Sequence, residues 1–286
     1  MPDYARIAEG AARAGLSVMR DESHTPELVD KLVDTLHELA HAVNERVQAG
    51  EDPKRLHLPV CKKGCGWCCH TDVTVTVPEV LRIARHLRAT RSPETLAALR
   101  EGLSDLAART REMTSQEWKQ SRIPCPFLDV ASMACTIHEV RPATCRAYNS
   151  VNLSQCVKQY ETGDENVPIP ANMVQQRANL AIGVGLTTAC RAHDLEWEWL
   201  TLTAGLAAAL ERPDAAEAWL AGERPFKNAH TKLSRTMASR NTADVDTTLR
   251  RLRTDHQDEL PARASAANED LARRERNRKK RQRKGR

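Results

Sequence analysis

The chain has 286 residues, 41% of them apolar and only 3% aromatic. Leu, Ala and Val must therefore supply the core, which favours helices over a sandwich. No stretch approaches the ~18 continuous apolar residues of a membrane-spanning helix. The first twenty residues carry Asp3 and Glu9 without an apolar run, so they do not read as a secretory signal. The net charge of +5 is unevenly placed: residues 273–286, "RRERNRKKRQRKGR", carry +9 and leave about −4 on the rest.

In chain order, residues 1–22 show no strong pattern and read as a loose N-terminus. A helix is predicted over 26–49, with Thr25 as its cap, Pro26 in the first turn and Gly50 just past its end. Val29, Val33, Leu36, Ala40, Val43 and Val47 share one face of it. A turn-rich stretch leads into "CKKGCGWCCHTD" at 61–72, and "VTVTV" at 73–77 alternates like a short strand. Pro78 opens a helix to about 89, and Ser92-Pro93 starts another to about 112. Residues 123–156 carry three prolines and few helical signals. From about 170 to 221 Leu, Ala and Trp recur at helical intervals, and beyond Pro225 the composition turns polar. The expected fold is mainly α, with helices packed around an irregular cysteine-rich core and one or two short strands. A helical cysteine-cluster domain is expected over 23–222 with its metal core at 58–160, followed by a flexible or weakly helical region at 223–286 that ends in the basic tail 273–286.

Nine cysteines in a chain without signs of export are poor candidates for disulfides, since cytosolic thiols are kept reduced. Clustered intracellular cysteines point to metal or redox chemistry. Cys61, Cys65 and Cys68 form C-x3-C-x2-C, a spacing that lets one tight loop present three thiolates to a common centre. Gly64 and Gly66 allow the backbone to wrap, and Lys62 and Lys63 offset thiolate charge. Cys69 directly follows Cys68, and neighbouring side chains on extended backbone point to opposite sides, so the pair is placed to serve two sites. Cys125, Cys135, Cys145 and Cys156 follow as singletons. Structural zinc sites favour paired C-x2–4-C knuckles, so singletons suit one [4Fe-4S] cluster with a remote ligand, while zinc remains open. Lone Cys190 reads as a buried apolar side chain. The spacing C-x3-C-G-W-C also matches the radical-SAM signature, a reading that requires an α/β barrel.

Other motifs weigh less. "HELAH" at 37–41 spells the H-E-x-x-H of zinc peptidases, but Asn44 and Val47 stand where a third ligand motif would continue, and a solvated helix face is the plainer reading. His70 and His138 flank the cysteines as substitute ligands or supporting groups. Arg141 and Arg146 are candidate cofactor-binding residues, pairing with cluster charge or with a carboxylate such as that of a methyl donor. The 273–286 tail suits nonspecific contact with nucleic acid and has no aromatics for base stacking.

Four ordered elements, "CKKGCGWCC", "IPCPFL", "CTIHEVRPATCR" and Cys156, resemble the zinc- or iron-chelating CxxCxxCC domain family over about residues 58–160. The strand and Pro-Glu helix start in "VTVTVPEVLRIARHL" resemble it too. The resemblance implies eight candidate ligands: Cys61, Cys65, Cys68, Cys69, Cys125, Cys135, Cys145 and Cys156. It implies as cofactor an iron–sulfur cluster or a zinc or iron ion. The lack of a secretory signal and of a spanning apolar run leads to the expectation of a cytoplasmic protein with no membrane partner. Flagellin lysine N-methylases are similar to the family, which adds a second reading: a SAM-using modifier of an unknown protein substrate. The residues leave open whether the chain is an enzyme.

Overall fold

The computed structural model describes residues 3–21, 24–50, 57–164 and 166–261. The basic tail 273–286 lies outside the described residues, so its role is not addressed by the fold.

Eleven α-helices stand among the described residues: α1 (Tyr4–Asp21), α2 (Pro26–Gly50), α3 (Val77–Thr90), α4 (Pro93–Thr110), α5 (Ser115–Ser121), α6 (Ala143–Ala147), α7 (Leu153–Thr162), α8 (Met173–Ala192), α9 (Leu202–Glu211), α10 (Ala215–Leu220) and α11 (Lys232–Asp255). Four two-residue strands form two antiparallel pairs. β1 (Thr74–Val75) pairs with β4 (Leu200–Thr201), and β2 (Leu128–Asp129) pairs with β3 (Ala134–Cys135). The fold is mainly α, as expected, with two more short strands than the sequence suggests. It is not the α/β barrel that radical-SAM chemistry requires. No helix among the described residues is long and apolar enough to cross a membrane.

The centre of the fold is α8. From Ala178 to Ala192 it is buried on nearly every side, and its Thr187 and Thr188 hydroxyls are satisfied by Gly183 O and Val184 O one turn back. A helix apolar all round has to be surrounded, and α1, α2, α6 and α11 surround this one. The closest approach is at Gly185, where a Cβ would come within 2.4 Å of the Ala11 Cβ and 2.8 Å of the Ala12 backbone nitrogen. That contact explains the first departure from expectation. The stretch expected to be loose is helix α1, and Ala8, Ala11, Ala12, Leu16 and Met19 are buried on it. Its inward face is built of small side chains, which carry little apolar signal yet pack well where two helix backbones nearly touch.

Residues 232–255 depart in the same way. The polar segment forms α11, a 24-residue helix docked by the narrow stripe Val245, Leu249 and Leu252 and capped by Thr231. The Arg191–Asp246 ion pair ties it to α8. The α2 stripe is buried from Val29 to Ala40, as the period requires. Helix α3 begins where the alternating strand ends: Thr76 caps it and Glu79 closes the capping box. The stretch 170–221, expected to be helical, forms α8, α9 and α10 and is interrupted at 193–201, where Leu200 and Thr201 pair with β1.

Candidate metal centre

The first four cysteines sit in a short loop. Cys65 N–H closes a turn onto Lys62 O at 3.0 Å, and Gly64 takes φ 84°, a left-handed angle that suits glycine. Gly66 is buried against the β2–β3 hairpin. A Cβ there would lie 2.7 Å from Leu128 Cδ1 and 3.2 Å from Met133 O, so only glycine lets the loop approach this closely. A 3-10 turn, Trp67–Cys69, follows. Trp67 packs tilted on Tyr160 of α7 with ring centroids 5.3 Å apart, and His70 packs on the same ring at 4.6 Å. The loop is thereby fixed to the helix that carries Cys156.

The later cysteines converge on this loop from separate elements. Cys125 N–H donates to Cys69 O at 2.7 Å. Cys135 lies on β3 opposite Leu128. Cys145 lies on α6, whose first N–H, that of Ala143, donates to Glu79 Oε1 at 2.6 Å. The Thr144 hydroxyl donates to Thr74 O at 2.7 Å, which fixes the same short helix to β1. Ser150 N–H donates to Cys61 Sγ at 3.3 Å, and Val60 N–H donates to Ser150 O at 2.8 Å. Asn152 then caps α7 and places Cys156 one turn in.

Glu79 is the anchor under this assembly. It is 2% exposed, and besides Ala143 it accepts from the backbone and hydroxyl of Thr76 at 3.0 and 2.8 Å and from His37 Nε2 at 3.2 Å. Burial alone would raise this carboxyl. The His37 contact and the backbone donors outweigh burial and hold it below the ordinary carboxylate range. This also disposes of the peptidase motif: His37 serves Glu79, whereas His41 is exposed and pairs with Glu45.

Two adjoining cavities receive the thiols. The larger, about 960 Å³, is lined by Cys61, Cys65, Cys68, Cys69, Cys125, Cys135 and Cys145. The smaller, about 220 Å³, is lined by Cys61, Cys65, Cys68 and Cys156 together with Trp67, His70 and Tyr160. All eight cysteines expected as ligands are thus gathered in one region, while Cys190 is buried elsewhere in α8. Cys61 and Cys68 are exposed and the other six are half-buried. Cys68 faces a cavity, so it is both open to solvent and enclosed by protein. Its thiol is held well above the ordinary value, first by a hydrogen bond with the Cys69 side chain and then by burial. Burial pushes Cys125 up to about 12 and Cys145 well above its usual value, and the neighbouring thiols add to both. These groups are protonated at neutral pH in the absence of a cation, so metal must displace protons to bind.

Among the described residues no three or more His, Cys, Asp or Glu side chains stand in the geometry of a metal site. The chemistry of the donor set fits the metals expected of it, since soft thiolates select zinc and iron–sulfur clusters. Positive charge is at hand. Arg141 favours the thiolate forms of Cys68, Cys135 and Cys145, and its buried Nε has no hydrogen-bond partner. Arg146 is used differently: its donors go to Arg141 O and Glu139 O, bracing the turn before α6. His138 lines the larger cavity, and His70 belongs to the aromatic contact with Tyr160. Sequence reasoning passes over Glu79 and Ser150. The Thr76–Glu79 capping-box spacing is the one available signal for Glu79, and no pattern marks Ser150.

Residues 60–167 match the CxxCxxCC family, described as a putative zinc- or iron-chelating domain. Over those residues the chain is similar to that domain. Its first cysteine gap is one residue longer than the family's name spells, and the extra residue falls within the turn that Gly64 makes. No curated protein and no solved structure matches the chain. Metal binding through cysteines follows from the domain.

Proposed function

We propose that the domain holds an iron–sulfur centre of the [4Fe-4S] kind, and that binding or carrying this centre is the chain's main task. The observation that supports it is how the donors are carried. Structural zinc sites favour paired C-x2–4-C knuckles, whereas Cys125, Cys135, Cys145 and Cys156 each arrive alone from a separate element onto the cavities lined by the 61–69 loop. Iron–sulfur clusters take such single, remote thiolates. Cys61, Cys65, Cys68, Cys69, Cys125, Cys135, Cys145 and Cys156 are the donors available to it, and Arg141 offsets part of their negative charge. Such a centre supplies electron transfer or redox sensing when bound. Nine free cysteines suit a reducing compartment, which favours a cytoplasmic setting.

Anaerobic purification followed by iron, zinc and acid-labile sulfide analysis tests this. Brown protein with sulfide equal to iron is expected, and colourless protein with zinc alone overturns it. A second reading, a SAM-using protein N-methyltransferase, has one observation in its favour: Arg141 lines the larger cavity and its Nε has no hydrogen-bond partner. Calorimetry with SAM on the metal-loaded chain tests that reading, and absence of binding removes it.

A further inference from the structure

Three thiols, Cys61, Cys65 and Cys68, line both cavities, and the other five line one each. Cys156 lines only the smaller one, where its companions are Cys61, Cys65 and Cys68. Cys69, Cys125, Cys135 and Cys145 line only the larger one. Each group has four members, and the boundary between them falls on the peptide bond joining Cys68 to Cys69.

We propose that the domain holds two four-thiol metal centres, an outer one at Cys61, Cys65, Cys68 and Cys156 and an inner one at Cys69, Cys125, Cys135 and Cys145. This rests on the metal-binding reading above and adds the number and membership of its sites. The backbone supports the division. Cys125 N–H is bonded to Cys69 O at 2.7 Å, which joins two inner members. Ser150 N–H is bonded to Cys61 Sγ at 3.3 Å, and the chain then runs directly into α7 and Cys156, which joins two outer members.

Each of the two sets takes one member of the adjacent pair Cys68 and Cys69 as its fourth ligand. The outer set includes the two exposed thiols, Cys61 and Cys68, and adjoins the aromatic-walled cavity. It is therefore the centre open to exchange, and the inner set is the one bound up with folding.

The test uses the full chain purified anaerobically, with metal per chain measured in the wild type and in the variant Cys61→Ser/Cys156→Ser. The variant removes side chains at the surface of the domain, so circular dichroism should be unchanged. Because each four-thiol set is one centre, the variant should keep about half the wild-type metal. Wild-type metal loss to a chelator should be biphasic, and the variant should show only the slow phase. A variant that retains all the metal, or loses all of it, overturns the division, as does single-phase loss from the wild type. A wild-type chain without metal instead overturns the reading beneath it.

Discussion

Glu79→Gln is the substitution whose effect the structure defines best. The carboxylate accepts four hydrogen bonds at 2.6–3.2 Å from Ala143, Thr76 and His37, and it is 2% exposed. Glutamine keeps one acceptor oxygen and puts an NH2 where the other stood, so the Ala143 or the Thr76 donor faces another donor. Removing the charge of a buried, bonded pair costs about 3–5 kcal/mol, a large part of a net stability of about 5–15 kcal/mol. At roughly 2–4 °C per kcal/mol for a chain of this size class, melting should fall by roughly 6–20 °C. Because Glu79 holds the first N–H of α6, Cys145 loosens with it, and the chelator should remove metal faster. The carboxyl lies below its unfolded value of ~4.3, so its stabilisation is present above that pH and lost as pH falls below about 4. The penalty of the substitution should shrink in acid accordingly. Melting by circular dichroism at pH 7, paired with metal analysis, is the assay. A drop under about 2 °C with unchanged metal would refute the anchoring role, since it corresponds to less than about 1 kcal/mol.

Three further outcomes are expected. Gly66→Ala should destabilise by ~1–3 kcal/mol and reduce metal content, because its Cβ would meet Leu128 and the Met133 carbonyl; thermal melts and metal analysis check this. Asp72 is buried, and burial raises its carboxyl to about 6 against donors from Thr201, Val73 and Thr203. Its folded form is favoured when protonated, so stability from this group is present below pH ~4 and lost as pH rises through about 6. Relative to Asp72→Asn, the wild type should gain ~3 kcal/mol as pH falls from 7 to 4, read as a narrowing or reversal of the melting difference. Chelation should unfold the region 58–160, because structural metal contributes apparent free energies of ~10–16 kcal/mol; limited proteolysis should then cut within that region, where the loaded protein resists.

What the sequence showed follows from how each part is held. The α2 stripe and the α3 start were legible because bulky apolar residues carry their own period and Pro78 marks a first helical turn. Helix α1 was not, because its buried face is Ala8, Ala11 and Ala12 against Gly185, a contact that shows only when both helices are placed. Helix α11 hides for a related reason, since three buried apolar residues in a polar 24-residue segment leave little signal. At the site the cysteines announced themselves by type and crowding. Their division between two cavities did not, because Cys156 arrives on α7 through the Ser150 and Asn152 contacts, and Cys145 through Glu79. Those are long-range hydrogen bonds with no spacing rule of their own.

The claim that eight thiols grip metal is tested most directly by alkylating the native protein and mapping the modified cysteines by mass spectrometry, before and after chelation. The account predicts that Cys61, Cys65, Cys68, Cys69, Cys125, Cys135, Cys145 and Cys156 are protected until metal is removed and react afterwards. Cys190, fully buried in α8, should resist for as long as that helix stays folded. Alkylation of the exposed thiols Cys61 and Cys68 with no loss of metal would contradict it.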